Sequence, residues 1–219
     1  MMSTSMDISL GKSEDCLKIE PLKLESKKFL SLLNKTKISM SNDETRHYLN
    51  GIFIHTTASS KNSYLTGVAT DTHRLSSSSM PIENIENFKS FILPKKTVFQ
   101  LCNLLQENDH KISISSSETK VQFKIGNSKV ISKVIDGKFP DYTKVVPKNN
   151  DKTLQIKLND FKNSIARVTT VSSDRKEGLK MDISKDSLQL SVSSPNSGDG
   201  LSLIHISEPT RRYAIADAG

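Results

Sequence analysis

The sequence predicts an α+β fold built from one repeated unit, a strand, an amphipathic helix and three further strands. Two observations lead to this prediction. Apolar residues alternate with polar ones in short runs separated by Ser-, Asn- and Asp-containing turns, as in antiparallel strands. Two other runs space their apolar residues at helical intervals, and each is followed by three strand-like runs.

The first unit begins with rough alternation over residues 17–24, a strand that Pro21 interrupts. Ser26 can cap the helix that follows. The apolar side of this helix carries Phe29, Leu30, Leu32 and Leu33. A polar loop at residues 39–45 then leads to three strands, which we predict at residues 48–56, 63–70 and 73–80.

The second unit has the same order. Pro94 suits the first position of a helix. Four apolar residues follow at i, i+3, i+4, i+7 spacing, namely Val98, Leu101, Cys102 and Leu105. Three strands come next, around residues 112–114, 121–125 and 129–135, and Gly126-Asn127 is predicted to form a hairpin turn.

A longer repeat predicts a second domain of the same topology, which begins near Thr153. Residues 23–53 have a counterpart in residues 157–183, where Phe161 repeats Phe29 at an offset of 132 positions. Each copy reads as a strand, an amphipathic helix, a Ser-rich charged loop and another strand. We expect only the first third of this second domain to be present.

The last residues depart from the repeat. The run LSLIHISEPTR, residues 201–211, breaks the strand alternation and resembles the translation of a sequencing-library adapter. We therefore expect the protein's own sequence to end near Gly200, and residues 201–219 to be a non-native tail.

The composition favours an anionic partner. Lys and Arg total 31 against 24 Asp and Glu, which gives a net charge of +7 and an isoelectric point near 9.3. Aromatic residues make up only 5% and Trp is absent, which argues against stacking of single-stranded bases. Cys16 and Cys102 form no CxxC pair, so we expect no metal site, and no cofactor is indicated. Neither a signal peptide nor an apolar run of about 18 residues is found, and we expect a cytoplasmic protein without a membrane partner.

The stretch ATDTHRL, residues 69–75, resembles an active site in its residue types. Asp71 and His73 could pair in a small hydrolase, but such an enzyme also needs a positioned nucleophile and an oxyanion hole. The GxSxG, HExxH, P-loop and GxGxxG motifs are absent from the sequence. The alternative, which the sequence favours, is that Asp71 makes an Asx-type turn while His73 and Arg74 begin the next strand.

Two groups of basic residues have both a functional and a structural interpretation. Lys95 and Lys96 fall in the first turn of a helix, where a bound phosphate would offset their unfavourable interaction with the helix dipole, or they are simply solvated. Arg46, His47 and Tyr48 can reach a sugar–phosphate backbone, or they cap an edge strand. A generic basic DNA-binding module is therefore one interpretation of the chain.

Four ordered motifs resemble the middle domain of the bacterial DNA sliding clamp, the β subunit of DNA polymerase III. They are ETRHYLNGIFIH, VATDTHRL, ILPKKTVFQL and SKVIDGKFPDYTKVVPKN, which begin at residues 44, 68, 92 and 132. The stretch DKTLQIKLNDFKNSIARVTTVSSDR, residues 151–175, resembles the opening of the third domain. The resemblance implies a middle domain at residues 17–150 and a truncated third domain at 151–200, after a poorly matched segment at 1–16.

This resemblance implies a DNA-clamp fold, with helices on one face and antiparallel sheets on the other, in a non-enzymatic processivity factor. In the family, two chains form a ring that encircles duplex DNA without reading its sequence. The ring tethers the catalytic subunit of the polymerase, and it also binds the clamp loader and other proteins with a clamp-binding motif. The positions that match DNA-contacting residues are Arg46, His47, Tyr48, Lys95 and Lys96.

The resemblance also implies a cleft for partner peptides, which performs no chemistry. The matching positions are Leu49, Thr70, Thr72, His73, Arg74, Leu75, Pro140, Lys144 and Val145. Thr72 stands where the family usually has Gly, and a β-branched residue resists the positive φ that Gly permits. Lys144 stands where Arg is frequent, so charge is kept and the fork geometry is lost.

The resemblance covers neither the family's first domain nor most strands of its third. In the family, those two domains form the ring interface, and the third domain completes the peptide cleft. We therefore expect this chain alone to be a monomer that binds DNA weakly and with a strong dependence on salt.

Overall fold

The computed structural model describes residues 21–59, 62–83, 88–106, 111–150, 153–172, 178–194 and 198–205. The chain divides into two compact units, Met1–Tyr142 and Thr143–Gly219. Within the described residues, no helix is long and apolar enough to cross a membrane.

The first unit repeats the order strand, helix and three strands twice, which confirms the predicted α+β fold. Its helices are α1 (Ser26–Thr36) and α2 (Lys95–Gln106). Its strands are β1 (Leu22–Glu25), β2 (Gly51–Ser59), β3 (Asn62–Thr70), β4 (Leu75–Ile82), β5 (Phe91–Pro94), β6 (Lys111–Ser116), β7 (Lys120–Ile125) and β8 (Ser128–Lys133).

The strands form two four-stranded antiparallel sheets that exchange their edge strands. The strand orders are β4-β3-β2-β5 and β1-β6-β7-β8. Strand β5 lies just before α2 in sequence but pairs with β2, and β1 lies just before α1 but pairs with β6. Each half of the unit thus completes the sheet of the other half, a pairing that the order of elements does not reveal.

Both helices pack on the inner faces of the two sheets. Phe29 and Leu33 of α1 and Leu101 of α2 are fully buried and belong to one hydrophobic core. In β7, Phe123 of that core lies 6.2 Å from Phe29 between ring centroids. Burial of each such side chain contributes on the order of 2 kcal/mol. The polar residues that alternate with them on β6, β7 and β8 therefore lie on the opposite, outer face of the sheet.

Gly67 allows α1 to approach β3 closely. A Cβ atom at this position would lie 2.5 Å from Cδ2 of Leu32, closer than two carbon atoms can approach. The inner face of β3 at this point therefore accepts the helix because it has no side chain.

Two predicted features of the helix starts are wrong. Ser26 does not cap α1: the N-cap residue is Glu25, and Ser26 is the first helical residue, only 3% exposed. Strand β1 runs directly into the helix, so the Ser26 side chain is turned into the protein. Pro94 is the last residue of β5, opposite Gly51, and α2 begins at Lys95. Because β5 is an edge strand, the missing N–H of Pro94 costs no hydrogen bond in the sheet.

Strand boundaries differ from the prediction where turns intervene. The strand predicted to begin at Tyr48 begins at Gly51, because His47–Leu49 form a 3₁₀ turn. The strand predicted to begin at His73 begins at Leu75. At the other end of the unit, β8 stops at Lys133, and Ile135 makes an isolated bridge to Ile92. The predicted strand residues before Pro21 lie outside the described residues.

The second unit has one helix on a three-stranded antiparallel sheet. Its elements are α3 (Leu158–Thr169), β9 (Lys180–Ile183), β10 (Ser187–Ser194) and β11 (Gly198–His205), with the strand order β11-β10-β9. Val168 of α3 packs against Leu188, Leu190 and Val192. The strand predicted before α3 is not formed at residues 153–157, and most of the predicted charged loop lies outside the described residues.

Residues 201–205 continue a regular strand, so the predicted break in register is wrong for them. Strand β11 pairs with β10 from Gly198↔Ser194 to His205↔Ser187. Ile204 is buried against α3, whereas Leu201 and Leu203 are 68% and 53% exposed. Backbone pairing tolerates this, because strand hydrogen bonds do not depend on the side chains.

Candidate functional site

The ATDTHRL stretch forms a tight turn between β3 and β4. Oδ1 of Asp71 accepts hydrogen bonds from the backbone N–H groups of His73 (3.1 Å) and Arg74 (3.0 Å). Oδ2 of Asp71 pairs with Nε of Arg74 at 3.0 Å. The hydroxyl of Thr70 accepts from the N–H of Thr72 at 3.1 Å and donates to the Arg74 carbonyl at 2.8 Å. The predicted Asx-type turn is confirmed.

The Asp71 carboxylate does not orient the imidazole of His73. Its described hydrogen bonds come from backbone N–H groups and the guanidinium of Arg74. Burial alone would raise the pKa of Asp71, but these hydrogen bonds outweigh it and hold the pKa below its usual value. The carboxylate therefore stabilises the turn, and the acid–imidazole pair that a hydrolase would need is not formed.

Thr72 adopts a backbone conformation that favours glycine. Its φ is 78°, in the left-handed region that β-branched residues disfavour. The turn around it is held by the side chains of Thr70 and Asp71, which accept hydrogen bonds from the backbone N–H groups of Thr72 and Arg74. The surrounding hydrogen bonds therefore hold threonine in this conformation.

The polar segment at residues 41–50 is organised around Asp43. Its carboxylate accepts from the N–H of Thr45 at 2.9 Å, from the hydroxyl of Thr45 at 2.6 Å and from Nε of Arg46 at 2.7 Å. Its carbonyl accepts from the side-chain amide of Asn50 at 3.0 Å. The bonds from Thr45, followed by Arg46, lower the pKa of Asp43 to about 2. The charged carboxylate thus fixes the conformation of this segment.

Arg46 joins this segment to the ATDTHRL turn. Its Nη1 donates to the hydroxyl of Thr72 at 3.3 Å, while its Nε is paired with Asp43. A predicted DNA contact and a predicted cleft residue are therefore neighbours. With glycine at position 72 the guanidinium would have no hydroxyl acceptor here.

The start of α2 is attached to the same segment. The backbone N–H of Lys95 donates to the Asn50 carbonyl at 3.0 Å, and its ammonium contacts the side-chain oxygen of Asn42. The next residue, Lys96, is exposed. The structure thus brings Lys95 and Arg46 to one loop, although they are far apart in sequence.

His47 and Tyr48 have different environments. His47 is exposed and meets Tyr48 edge-on, at 5.9 Å between ring centroids. Tyr48 is half-buried beside a cluster that includes Leu49 and Phe139, and Leu49 is only 1% exposed. Leu49 can therefore support the floor of a cleft but offers little surface of its own.

The remaining predicted cleft residues fall in both units. Leu75 packs against the same cluster as Leu49, and Pro140 is exposed. Lys144 and Val145 belong to the second unit, where Val145 is 67% exposed. The first unit by itself therefore supplies the turn, its apolar support and Pro140.

The residues that hold these sites in place were not predicted from the sequence. Asp43, Asn42 and Asn50 have structural roles that are recognisable only once Lys95 and Arg46 are seen beside them. The spacing of Asp43 and Thr45 is the signal that could have indicated a local Asx turn. Among the described residues, no group of three or more His, Cys, Asp or Glu side chains could hold a metal ion.

Comparison with known proteins identifies the family. Residues 23–141 match the central domain of the DNA polymerase III beta subunit, and residues 143–201 match its C-terminal domain. The beta sliding clamp of Caulobacter vibrioides is 32% identical over 184 residues, which are 84% of this chain and 50% of that protein.

Solved structures agree with the sequence matches. The C. crescentus beta sliding clamp with bound PEG superposes with a TM-score of 0.85 at 30% identity, over 91% of this chain and 53% of that chain. A Bartonella birtlesii sliding clamp bound to griselimycin has a TM-score of 0.79 at 37% identity, over 86% and 52% of the two chains. This chain spans about half the length of the curated relatives it matches. With two consecutive domains matched in order, the chain belongs to the DNA polymerase III beta subunit family.

Proposed function

We propose that this chain forms part of a DNA sliding clamp, in which α1 and α2 face duplex DNA. The observation that carries the proposal is the charge of these two helices. Together they hold five lysines, Lys27, Lys28, Lys35, Lys95 and Lys96, and neither helix contains an acidic residue. The helices lie on one side of the sheets, so the five lysines belong to one layer of the first unit.

The exposed side of α1 has the donors that a phosphate backbone requires. Lys27, Ser31, Asn34 and Lys35 line a shallow depression along the helix. Ammonium, hydroxyl and amide groups are typical donors to phosphate oxygens, and they read no base sequence. This favours sequence-independent contact, as a protein that slides along DNA requires.

The ATDTHRL turn is proposed to form one wall of a cleft for peptides of the polymerase and other clamp-binding proteins. Its polar edges come from Thr70, Thr72, His73 and Arg74, and Leu75 with Leu49 supports its apolar floor. Pro140 is assigned to the same cleft by its match to the family, and Lys144 and Val145 of the second unit are proposed to contact partner peptides on the same ground. The proposed role is non-catalytic, in the cytoplasm, and needs no cofactor.

The proposed DNA face can be tested with the double substitution K95E/K96E. We expect affinity for a labelled 20-base-pair duplex to fall about tenfold at low salt. The slope of log K against log salt concentration should become shallower by the amount that corresponds to about two lost phosphate contacts. Fluorescence anisotropy at several salt concentrations measures both quantities. Glutamate in the first turn of α2 suits the helix dipole, so folding should be preserved.

A matched control separates position from overall charge. The variant K180E/K185E makes the same charge change in the second unit, where Lys180 is exposed and paired with Asp182. We expect it to bind DNA nearly as well as the unmodified chain. Equal losses in both variants would contradict the proposal and favour the generic basic DNA-binding module.

Oligomeric state provides a second test of the proposal. In the family the ring interface uses domains that the matched region covers only in part, so we expect this chain to sediment as a monomer. A stable dimer of this chain in sedimentation velocity would be inconsistent with that assignment of the interface.

A further inference from the structure

The sheet β1-β6-β7-β8 has a strongly cationic outer face, on the side away from both helices. In β7, Val121, Phe123 and Ile125 point into the core, so Lys120 and Lys124 point outward. The registers of the neighbouring strands extend this face. We call it the lysine face, and its members are Lys23, Lys111, Lys120, Lys124, Lys129 and Lys133.

The lysine face has little acidic compensation. Across β1, β6, β7 and β8, whose residues are all described, one acidic side chain points outward, that of Glu25. Glu25 is paired with Lys28 of α1 at 2.8 Å. The face therefore carries a large net positive charge.

Lysines also lie directly opposite each other on adjacent strands. The register pairs Lys124 with Lys129 and Lys120 with Lys133. Cβ atoms of such pairs are about 5 Å apart, and like charges in this position are destabilising. A bound polyanion would offset this repulsion, because each ammonium would then have an anionic neighbour.

The uncharged residues of the face decide which polyanion fits. Ser113 lies between the lysines and is partly exposed, whereas Ser115 and Gln122 are only 7% and 3% exposed and offer little surface to a ligand. Ile131 is the one apolar residue that points outward from these four strands. Protein interfaces usually have an apolar, often aromatic centre and are depleted in lysine, whereas a surface of ammonium groups with a hydroxyl between them suits a phosphate backbone.

A cleft of about 950 Å³ continues the face at one end. Lys120 and Lys133 of the face line this cleft together with Lys138, and two acidic residues, Glu118 and Asp136, line it as well. The Glu118 carboxylate is already paired with the ammonium of Lys89, which lies outside the lysine face, at 2.8 Å. The cationic surface therefore extends from the sheet into a concave site.

The geometry points to a second nucleic-acid contact on the lysine face. This face binds the phosphodiester backbone of a nucleic acid that is separate from the duplex lying against α1 and α2. A duplex lying against α1 and α2 is separated from this face by the sheet itself. Lysine lacks the planar fork that reads bases or orients a phosphate, so the contact is independent of sequence. This inference goes beyond the proposed clamp function, because that function requires only the helical side.

The test uses the whole chain with K95E/K96E, which weakens the helical side. Labelled 20-nucleotide dT and a 20-base-pair duplex are the two probes, and acetylation of lysines followed by mass spectrometry reports protection. We expect at least one probe to protect Lys124 and Lys129, and the probe that does so identifies the strand as single or double. Adding K124E/K129E should reduce the remaining affinity about tenfold at low salt.

Several outcomes would overturn the inference. One is unchanged acetylation of Lys124 and Lys129 with both probes, and another is a K124E/K129E variant that binds as well as its parent. Tighter binding of a poly-glutamate peptide than of either nucleic-acid probe, at equal charge concentration and equal salt, would indicate an acidic protein partner instead. The single variant K124E places a carboxylate opposite Lys129 and should melt no lower than the unmodified chain. It should also bind the protecting probe more weakly, so that the loss of binding is measured in a folded protein.

Discussion

Threonine at position 72 occupies a backbone conformation that favours glycine. Its φ of 78° is imposed by the hydrogen bonds of Thr70 and Asp71, and its hydroxyl accepts from Arg46 at 3.3 Å. Conformational strain and one exposed hydrogen bond therefore act in opposite directions at this residue.

Substitutions of Thr72 separate these two effects. T72A loses the hydroxyl and keeps the strain, whereas T72G loses both. We expect the free energy of unfolding of T72G to be about 0.5–1 kcal/mol higher than that of T72A. The left-handed conformation costs a residue with a Cβ about 1–2 kcal/mol, and the greater flexibility of glycine in the unfolded chain cancels part of the stability gained by removing the Cβ. Urea denaturation of the two variants measures the difference, and a less stable T72G would show that the turn is unstrained.

The low pKa of Asp43 makes part of the free energy of unfolding sensitive to acid. Its folded-state pKa is about 2, below the ordinary 3.8, so its contribution is fully present above about pH 4 and is lost as the pH falls through about 2. We expect the gap in unfolding free energy between the unmodified chain and D43N to shrink between pH 5 and pH 2. The neighbouring E44Q serves as the charge control. A gap that is constant over this range would contradict the assigned hydrogen bonds.

At the scale of single residues, the sequence predicted the Asp71 turn because its hydrogen bonds reach only two or three positions along the chain. It did not predict the contacts of Arg46 with Thr72 or of Lys95 with Asn42. These residues are 26 and 53 positions apart, and nothing local in the sequence brings them together.

At the scale of the elements, the packing of α1 against β3 depends on the absence of a side chain at Gly67. A Cβ on Gly67 would lie 2.5 Å from Cδ2 and 3.3 Å from Cγ of Leu32, so the helix must shift or Leu32 must change rotamer. We expect G67A to cost about 1–3 kcal/mol by overpacking and L32A to cost about 2–5 kcal/mol by leaving a cavity.

The double variant G67A/L32A tests this contact. We expect it to cost less than the two single changes together, because removing the Leu32 side chain gives the new methyl group space. Thermal or urea unfolding of all three variants completes the cycle. Additive costs would show that Gly67 and Leu32 do not limit the approach of α1.

Periodicity predicted the two helices and the order of strands in the first unit, since both follow from local alternation. It failed at the boundaries, at Ser26 and Pro94, where a strand runs into a helix without a separate cap. It also could not predict that β5 pairs with β2 or that β1 pairs with β6, because pairing between distant strands is decided by the packed core.

At the scale of the whole molecule, the two basic layers of the first unit have different proposed roles. The helical layer is assigned to the encircled duplex, and the lysine face to a second strand. The first assignment follows from the resemblance of the sequence motifs to the clamp family. The second required the strand register, because lysines dispersed from position 23 to position 133 form one face only when β1, β6, β7 and β8 are aligned.

The central part of the proposed function is that residues 23–201 contribute to a ring that holds DNA by enclosing it. It can be tested with a hybrid in which residues 23–201 replace the matching part of the Caulobacter beta sliding clamp. The hybrid is placed on nicked circular plasmid with a clamp loader, isolated at high salt, and the plasmid is then cut once. The unmodified Caulobacter protein is treated in parallel.

We expect the hybrid to stay with the circular plasmid at high salt and to be lost once the plasmid is linear, because enclosure persists when electrostatic attraction is screened. Retention should be measured by gel filtration as the fraction of hybrid that elutes with DNA before and after cutting. Equal retention on circular and linear DNA would contradict the claim, as would a folded, dimeric hybrid that is retained on neither.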